Sequence, residues 1–286
     1  MMTTPKLVIF TDLDGTLLDR NTYSFESALP ALHLIRQKNI PLILTSSKTR
    51  TEIEFCQAQL QINHPFISEN GGAAFIPKGY FSYPFPYSSD SGKYLILEFG
   101  TCYPKIVEVL NLIKKETDIP IKGFSDLTEE ELVSLCGLSI KEAKFSKRRE
   151  YDEPFLIEAG EKEVEIVKTK IKEKGMTYAW GGRFHHILGK NDKGKAVKMI
   201  KKLFENEYFS ITTLGIGDSS NDLPMLLAVD HPIFLKEKES LLPQIPSTVQ
   251  NLVIFEGAGP QAWNRAIQSF MAEFALLPAI TKLKEP

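Results

Sequence analysis

Asp12 and Asp14 stand two residues apart in Asp12-Leu13-Asp14-Gly15-Thr16, which closes an apolar run beginning at Lys6. Gly15 frees the backbone to turn, so the two carboxylates can converge on one point. By chance such an Asp-x-Asp-Gly-Thr string is expected in roughly two chains of this size per thousand. The plainer reading is a solvated acidic turn. Three more clusters stand beside predicted strand ends or helix starts: Thr45-Ser46-Ser47-Lys48, Lys193-Gly194-Lys195 and Gly217-Asp218-Ser219-Ser220-Asn221-Asp222. Singly, Asp218 and Ser46 read as helix caps and Lys193 as a solvated lysine. Together they supply carboxylates, a hydroxyl and an ammonium at the ends of strands, where open α/β sheets bind ligands. Hydroxyls and free N–H groups at a helix start suit an anion. Hard carboxylate oxygens suit Mg²⁺, which favours a phosphate partner. Phosphoryl transfer needs positioning and charge neutralisation above all. A metal-bound Asp stays ionised and can attack phosphorus, while a second Asp nearby can be raised in pKa and donate a proton.

The elements that must position these residues read as alternating strands and helices. Short apolar runs at 6–11, 41–45 and 65–68 predict strands buried on both faces. A helix capped by Ser27, with Pro30 in its first turn and Ala31, Leu32 and Ile35 inward, separates the first two. A second helix starts near Lys48, and Asn70-Gly71-Gly72 is a turn. From residue 80 the pattern changes to aromatic, Pro-rich and then Ser-rich sequence. Beyond it a strand at 94–99, a helix at 104–116, a helical pair across 129–149, a strand at 155–158, a helix at 162–174 and two strands around Gly181-Gly182 suit a small α+β unit. The α/β alternation then resumes, with helices at 193–205, 223–228 and 261–274 and strands at 211–215, 232–235 and 251–255. The expected fold is a doubly wound, mostly parallel α/β core at 1–84 and 190–286, interrupted by an inserted α+β cap at 85–189.

Composition narrows the partners. Of 286 residues, 34 are basic and 36 acidic, a net charge of −2 that offers no electrostatic footprint for nucleic acid or an anionic membrane. No apolar run approaches the roughly 20 residues that span a bilayer. The first residues lack a secretory pattern, and Cys56, Cys102 and Cys136 are odd in number and widely spaced. A soluble cytoplasmic protein acting on a small molecule is the expectation, with no nucleic acid or membrane partner and the oligomeric state open.

In order, Asp12-Leu13-Asp14-Gly15-Thr16-Leu17, Ser46, Lys193 and Gly217-Asp218-Ser219-Ser220-Asn221-Asp222 resemble the four motifs of the haloacid dehalogenase superfamily. The insertion is similar to the large α+β cap of its Cof-like branch. Within that branch five segments resemble the mannosyl-3-phosphoglycerate phosphatase family. They are Leu44-Thr45-Ser46-Ser47-Lys48-Thr49-Arg50, Ser68-Glu69-Asn70-Gly71-Gly72, Arg149-Glu150-Tyr151-Asp152-Glu153, Gly181-Gly182-Arg183-Phe184-His185 and Asp192-Lys193-Gly194. The resemblance implies a Mg²⁺-dependent phosphatase acting on a phosphorylated glycoside. Asp12 would be nucleophile and metal ligand, and Asp14 the general acid and base, its carbonyl also on the metal. Asp218 would be a further ligand, supported by Asp222 or Asn221, with Ser46 and Lys193 on the phosphoryl oxygens. Ser47, Lys48, Asn70, Gly71, Arg149, Arg183, His185 and Asn221 are the expected substrate contacts. Arg149 and Arg183 match a substrate carboxylate, since a guanidinium fork fits it; their plainer readings are a solvated helix face and a hairpin turn. His185 and His186, adjacent on a strand, point to opposite faces and cannot share one ion. One of them faces the cavity. A glucosyl-specific or other sugar-phosphate phosphatase, a phosphomutase and a non-catalytic binding protein are the rivals.

Overall fold

The computed structural model describes residues 5–238, 242–244 and 251–274. Strands β1 (Lys6–Thr11), β2 (Leu42–Thr45), β3 (Phe66–Ser68), β4 (Ala73–Pro77), β5 (Ser89–Asp90) and β6 (Tyr94–Glu98) come first. They are followed by β7 (Ile121–Gly123), β8 (Asp152–Ile157), β9 (Thr177–Trp180) and β10 (His185–Leu188). Last are β11 (Ile211–Gly217), β12 (His231–Lys236) and β13 (Val253–Glu256). One nine-stranded sheet has the order β13-β12-β11-β1-β2-β3-β4-β6-β5 and a second, four-stranded sheet the order β7-β8-β10-β9. From β13 to β3 all pairs are parallel; β4, β6 and β5 add an antiparallel edge.

The inner parallel strands β1, β2, β3 and β11 are apolar on both faces because both faces are covered. On one side Ile9, Leu42 and Leu214 pack with Ala31, Leu32 and Ile35 of the helix Leu29–Gln37, Ile53 of Arg50–Leu60 and Trp263 of Gly259–Phe274. On the other, Val8, Phe10 and Ile43 meet Val197, Ile200 and Phe204 of the helix Lys193–Glu207. The helix Arg50–Leu60 starts at a capping box, in which Thr49 accepts from the Glu52 N–H and Glu52 accepts from the Thr49 N–H.

The smaller sheet carries the helices Tyr103–Thr117 and Glu161–Glu173 on one face, sealed by Ile106, Leu110, Phe155, Val167 and Ile187. The short helices Glu129–Cys136 and Ile140–Ser146 belong with Phe124, Leu127 and Leu138 in a separate apolar cluster. Two expectations change. The strand at 94–98 pairs antiparallel with β4 and belongs to the large sheet, so residue 85 is too early a boundary; the elements of the smaller unit run from Tyr103 to Leu188. Strand β4, all buried, was hidden because it follows the Gly71-Gly72 turn without a break in composition. Ser27 lies inside a short 3₁₀ turn and caps nothing.

Candidate active site

Parallel registry of β1 with β11, Thr11 opposite Ile216, brings the two acidic loops to the same sheet edge. The N–H of Asp12 donates to the Ile216 carbonyl at 2.9 Å. Beyond it the chain reverses at Gly15, φ +81°, where a Cβ would stand 2.6 Å from Asp218 Oδ2. Glycine is therefore required both for the turn and for the approach of the two loops. Carboxylate oxygens of Asp12, Asp218 and Asp222 lie within 4.8 Å of one another.

Lys193 opens its helix, an unfavourable end for a cation, yet its side chain is fully buried. Nζ donates to Asp12 Oδ1 and Asp222 Oδ1, both at 2.6 Å. Burial alone would depress this ammonium; the two carboxylates outweigh it and hold the pKa above the ordinary lysine value. Burial, then the charge of Asp222, push Asp12 well up despite Lys193. The same causes raise Asp218 to about 6.

Asp222 is committed on both sides, Oδ1 to Lys193 and Oδ2 to the N–H groups of Asp218 and Ser219 and the Ser219 hydroxyl. It thus shapes the loop and holds the lysine, a stronger role here than that of a direct ligand. Asp12 keeps one oxygen without a hydrogen bond among the described residues. Asp218 accepts from Thr16 at 2.9 Å and from the guanidinium of Arg20. Asp14 faces the cleft, its Oδ2 3.0 Å from Lys48 Nζ and its Oδ1 buried with no hydrogen-bond partner among the described residues. Ser46 is buried beside β2, its Oγ accepting from the Lys48 N–H at 3.2 Å and its own proton free to donate.

Above these groups the two sheets enclose a cleft of about 800 Å³, open solvent included. Arg20, Lys48, Arg149 and Arg183 line it with Asp12, Asp14, Ser47, Glu52, His186 and Asn221. The four cations differ in availability. Lys48 is paired with Asp14 and lies 3.7 Å from Glu52, and Arg20 sits on Asp218. Arg183, exposed on the β9–β10 hairpin, donates to the carbonyls of Leu135 and Cys136, lies over the Phe184 ring and has no carboxylate partner among the described residues.

Arg149 is not the free carboxylate fork expected of it. Its donors go to the carbonyls of Asp152 (2.6 Å), Ser47 (2.7 Å) and Ser146 (3.4 Å), with Glu69 and Asp152 as counter-charges. It pins the smaller unit to the loop after β2. Asn70 and Gly71 are likewise structural and do not line the cleft: the Asn70 amide donates to Asp152 at 2.7 Å and accepts from Asn221 at 3.0 Å. His185 points away from the cleft, where its Nδ1 meets the Tyr178 hydroxyl at 2.7 Å and its ring stacks on Phe155. His186, one residue on, is the cleft-facing histidine.

Arg20, Tyr23, Glu52, Glu69, Asp152 and His186 escaped the expected set. Alternation along β10 is the signal that singles out one histidine, but it leaves open which. Glu69 is the least legible. It adopts φ +47° and Asn70 +54°, the left-handed region. Its buried carboxylate accepts the N–H groups of Glu150, Tyr151 and Asp152 at 2.8–3.0 Å. Burial pushes Glu69 up to about 8, against the pull of Arg149 and those N–H groups.

Set against known proteins, the chain matches the family model described as haloacid dehalogenase-like hydrolase over residues 9–249. The chain belongs to the haloacid dehalogenase-like hydrolases. Within them, it is 45% identical over 94% of its length to a glucosyl-3-phosphoglycerate/mannosyl-3-phosphoglycerate phosphatase of Methanococcoides burtonii, covering 98% of that protein. A relative of the same name from Persephonella marina is 40% identical over 93% of the chain and 98% of its own length. The solved structure of Thermoplasma acidophilum 0175 shares the fold, with a TM-score of 0.64, 19% identity and coverage of 96% of this chain and all (100%) of that one. Among the described residues no helix is long and apolar enough to cross a membrane.

Proposed function

We propose that this hydrolase is a Mg²⁺-dependent phosphatase that releases phosphate from mannosyl-3-phosphoglycerate, with glucosyl-3-phosphoglycerate as the closest second substrate. The observation that carries the reading is the arrangement of one cleft, with Asp12 seated on Lys193 at its floor and cationic side chains on its walls. The relatives' names supply the substrate class. The donor set fits a hard divalent cation, since Asp12 and Asp218 bring carboxylate oxygens to one point and Asp12 keeps one oxygen free. Asp12, Asp218 and the Asp14 carbonyl would hold Mg²⁺, which when bound neutralises charge on the phosphoryl oxygens.

Asp12 attacks phosphorus and forms an aspartyl-phosphate while the bond to the glycerate C3 oxygen breaks. Asp14 gives that oxygen its proton; the orphaned Asp14 Oδ1 is the acceptor site through which a proton is later taken from water. That water attacks the aspartyl-phosphate, regenerating Asp12 and releasing phosphate. Lys193 and Ser46 hold phosphoryl oxygens, and Arg183, with no carboxylate partner among the described residues, meets the substrate carboxylate. Phosphate release measured with mannosyl- and glucosyl-3-phosphoglycerate and with simple sugar phosphates tests the reading. A preference above about 100-fold in kcat/KM for the glycosyl-phosphoglycerates supports it, and equal slow hydrolysis of all refutes the substrate. Full activity of Asp12→Asn refutes the mechanism.

A further inference from the structure

Arginine and lysine side chains serve the anionic parts of such a substrate, but a glycosyl group is rich in hydroxyls, which also need acceptors. His186 is placed to be one. Strand alternation turns it into the cleft, and only 3% of it is exposed. Its Nδ1 lies 3.0 Å from both oxygens of Asp152, which is fully buried. A carboxylate can only accept, so Nδ1 carries the proton, and in the neutral ring Nε2 is left with its lone pair. Nε2 has no hydrogen bond to the described residues.

Space has been kept in front of that nitrogen. Gly181, also on the cleft wall, has no left-handed φ that would demand glycine, yet a Cβ there would stand 2.9 Å from His186 Nε2 and 3.7 Å from Asn221 Nδ2. Asp152 is in turn fixed from the large sheet. Its Oδ2 accepts from Asn70 at 2.7 Å, Asn70 accepts from Asn221 at 3.0 Å, and the Asp152 N–H is held by Glu69 at 2.9 Å. The imidazole orientation therefore depends on contacts that cross between the two sheets. A group held this way is preorganised and gives up little freedom on binding.

We infer that His186 is a specificity-determining residue whose Nε2 accepts a hydrogen bond from a hydroxyl of the glycosyl group, with Asp152 as its positioning residue. The inference rests on the functional reading above. The test compares kcat/KM for the glycosyl-3-phosphoglycerate with kcat/KM for p-nitrophenyl phosphate, which has no sugar, and follows the ratio. His186→Asn keeps a donor near the Nδ1 position for Asp152 but removes Nε2, and the ratio falls at least tenfold, as expected for a lost hydrogen bond. Asp152→Asn can donate to Nδ1, which moves the ring proton to Nε2, and lowers the ratio similarly. Gly181→Ala, which leaves the Asp152–His186 contact intact, crowds Nε2 and does the same, so the test holds even if His186→Asn fails to fold. Ratios within twofold of wild type in a folded His186→Asn or in Gly181→Ala overturn the inference, as does equal loss on both substrates. A wild-type protein with no preference for glycosyl-phosphoglycerates overturns the functional reading, and this inference with it; a preference that survives the variants overturns this inference alone.

Discussion

Replacing Lys193 by methionine keeps most of the apolar stem and removes one charge from between two carboxylates. In the wild type that ammonium is fully buried and 2.6 Å from an oxygen of Asp12 and of Asp222. Breaking a buried pair from one side costs about 3–5 kcal/mol, because the remaining charge stays buried and unpaired. Here two carboxylates are left, and Asp12 is already raised by burial and by Asp222. The cost therefore depends on pH. Without the ammonium the folded Asp12 carboxyl retains its proton to a pH at which the unfolded one has lost it. Unfolding then releases protons, and stability falls as pH rises. One extra proton in the folded state corresponds to about 1.4 kcal/mol per pH unit. Over part of the range from pH 5.5 to 8 this makes the destabilisation of Lys193→Met about 2 kcal/mol larger at the alkaline end. Urea unfolding of both proteins at the two pH values reads this directly. A double-mutant cycle with Asp12→Asn should return a coupling energy of about 2 kcal/mol. A pH-independent loss, or one below about 1 kcal/mol, refutes the argument that Lys193 neutralises these two carboxylates.

Gly71→Ala would force a side chain into the left-handed region at φ +82° and set its Cβ 2.1 Å from the Asp192 carbonyl oxygen. A loss of at least about 3 kcal/mol is expected in urea unfolding, with kcat falling because Lys193 follows directly. Burial, aided by Lys6, lowers His64 from 6.5 to about 4, so the unfolded chain takes up a proton that the folded chain refuses. Stability is thus lost as pH falls from 6.5 towards 4, by about 1–2 kcal/mol after allowance for partial exposure; in His64→Gln the melting temperature should depend less on pH across that window. Arg183→Ala should raise KM for the glycosyl-phosphoglycerate at least tenfold with little change in melting temperature. Arg149→Lys should instead lower the melting temperature, since an ammonium cannot reach three carbonyls at once; the reverse pattern would show that Arg149, not Arg183, meets the substrate.

The floor of the site was legible because it is local. Asp12, Asp14 and Asp218 sit just beyond strands whose apolar runs announce themselves, and parallel pairing of β1 with β11 does the rest. Lys193 was legible in position but not in burial, since nothing in Lys193-Gly194-Lys195 distinguishes one lysine from the other; only the packing does. The walls were harder. Arg149 lies in a basic run that reads as solvated, yet Glu69, 80 positions earlier (149 − 69), makes it a buried cation. His185 and His186 are the same residue type, and their roles are decided by which face of β10 meets the cleft, a matter of tertiary packing.

The turn after β3 links the two levels. Glu69, Asn70 and Gly71 are all at positive φ, a costly run that needs support from its surroundings. The support comes from both sides. Glu69 and Asn70 N–H groups donate to the carbonyls of Lys48 and Ser46 in the loop after β2. Their side chains reach the other way, Glu69 to the N–H groups of 150–152 and Asn70 to Asp152. Glu69 and Asn70 thus tie the loop after β2 to Asp152 of β8, the residue against which His186 is held. Strain at this turn is compatible with a single seating of the smaller unit on the larger, because a rotated unit would leave the Glu69 carboxylate buried without its donors. Orientation of the cleft wall and integrity of its floor are in this way one structural problem, and loss of Glu69 should degrade both together.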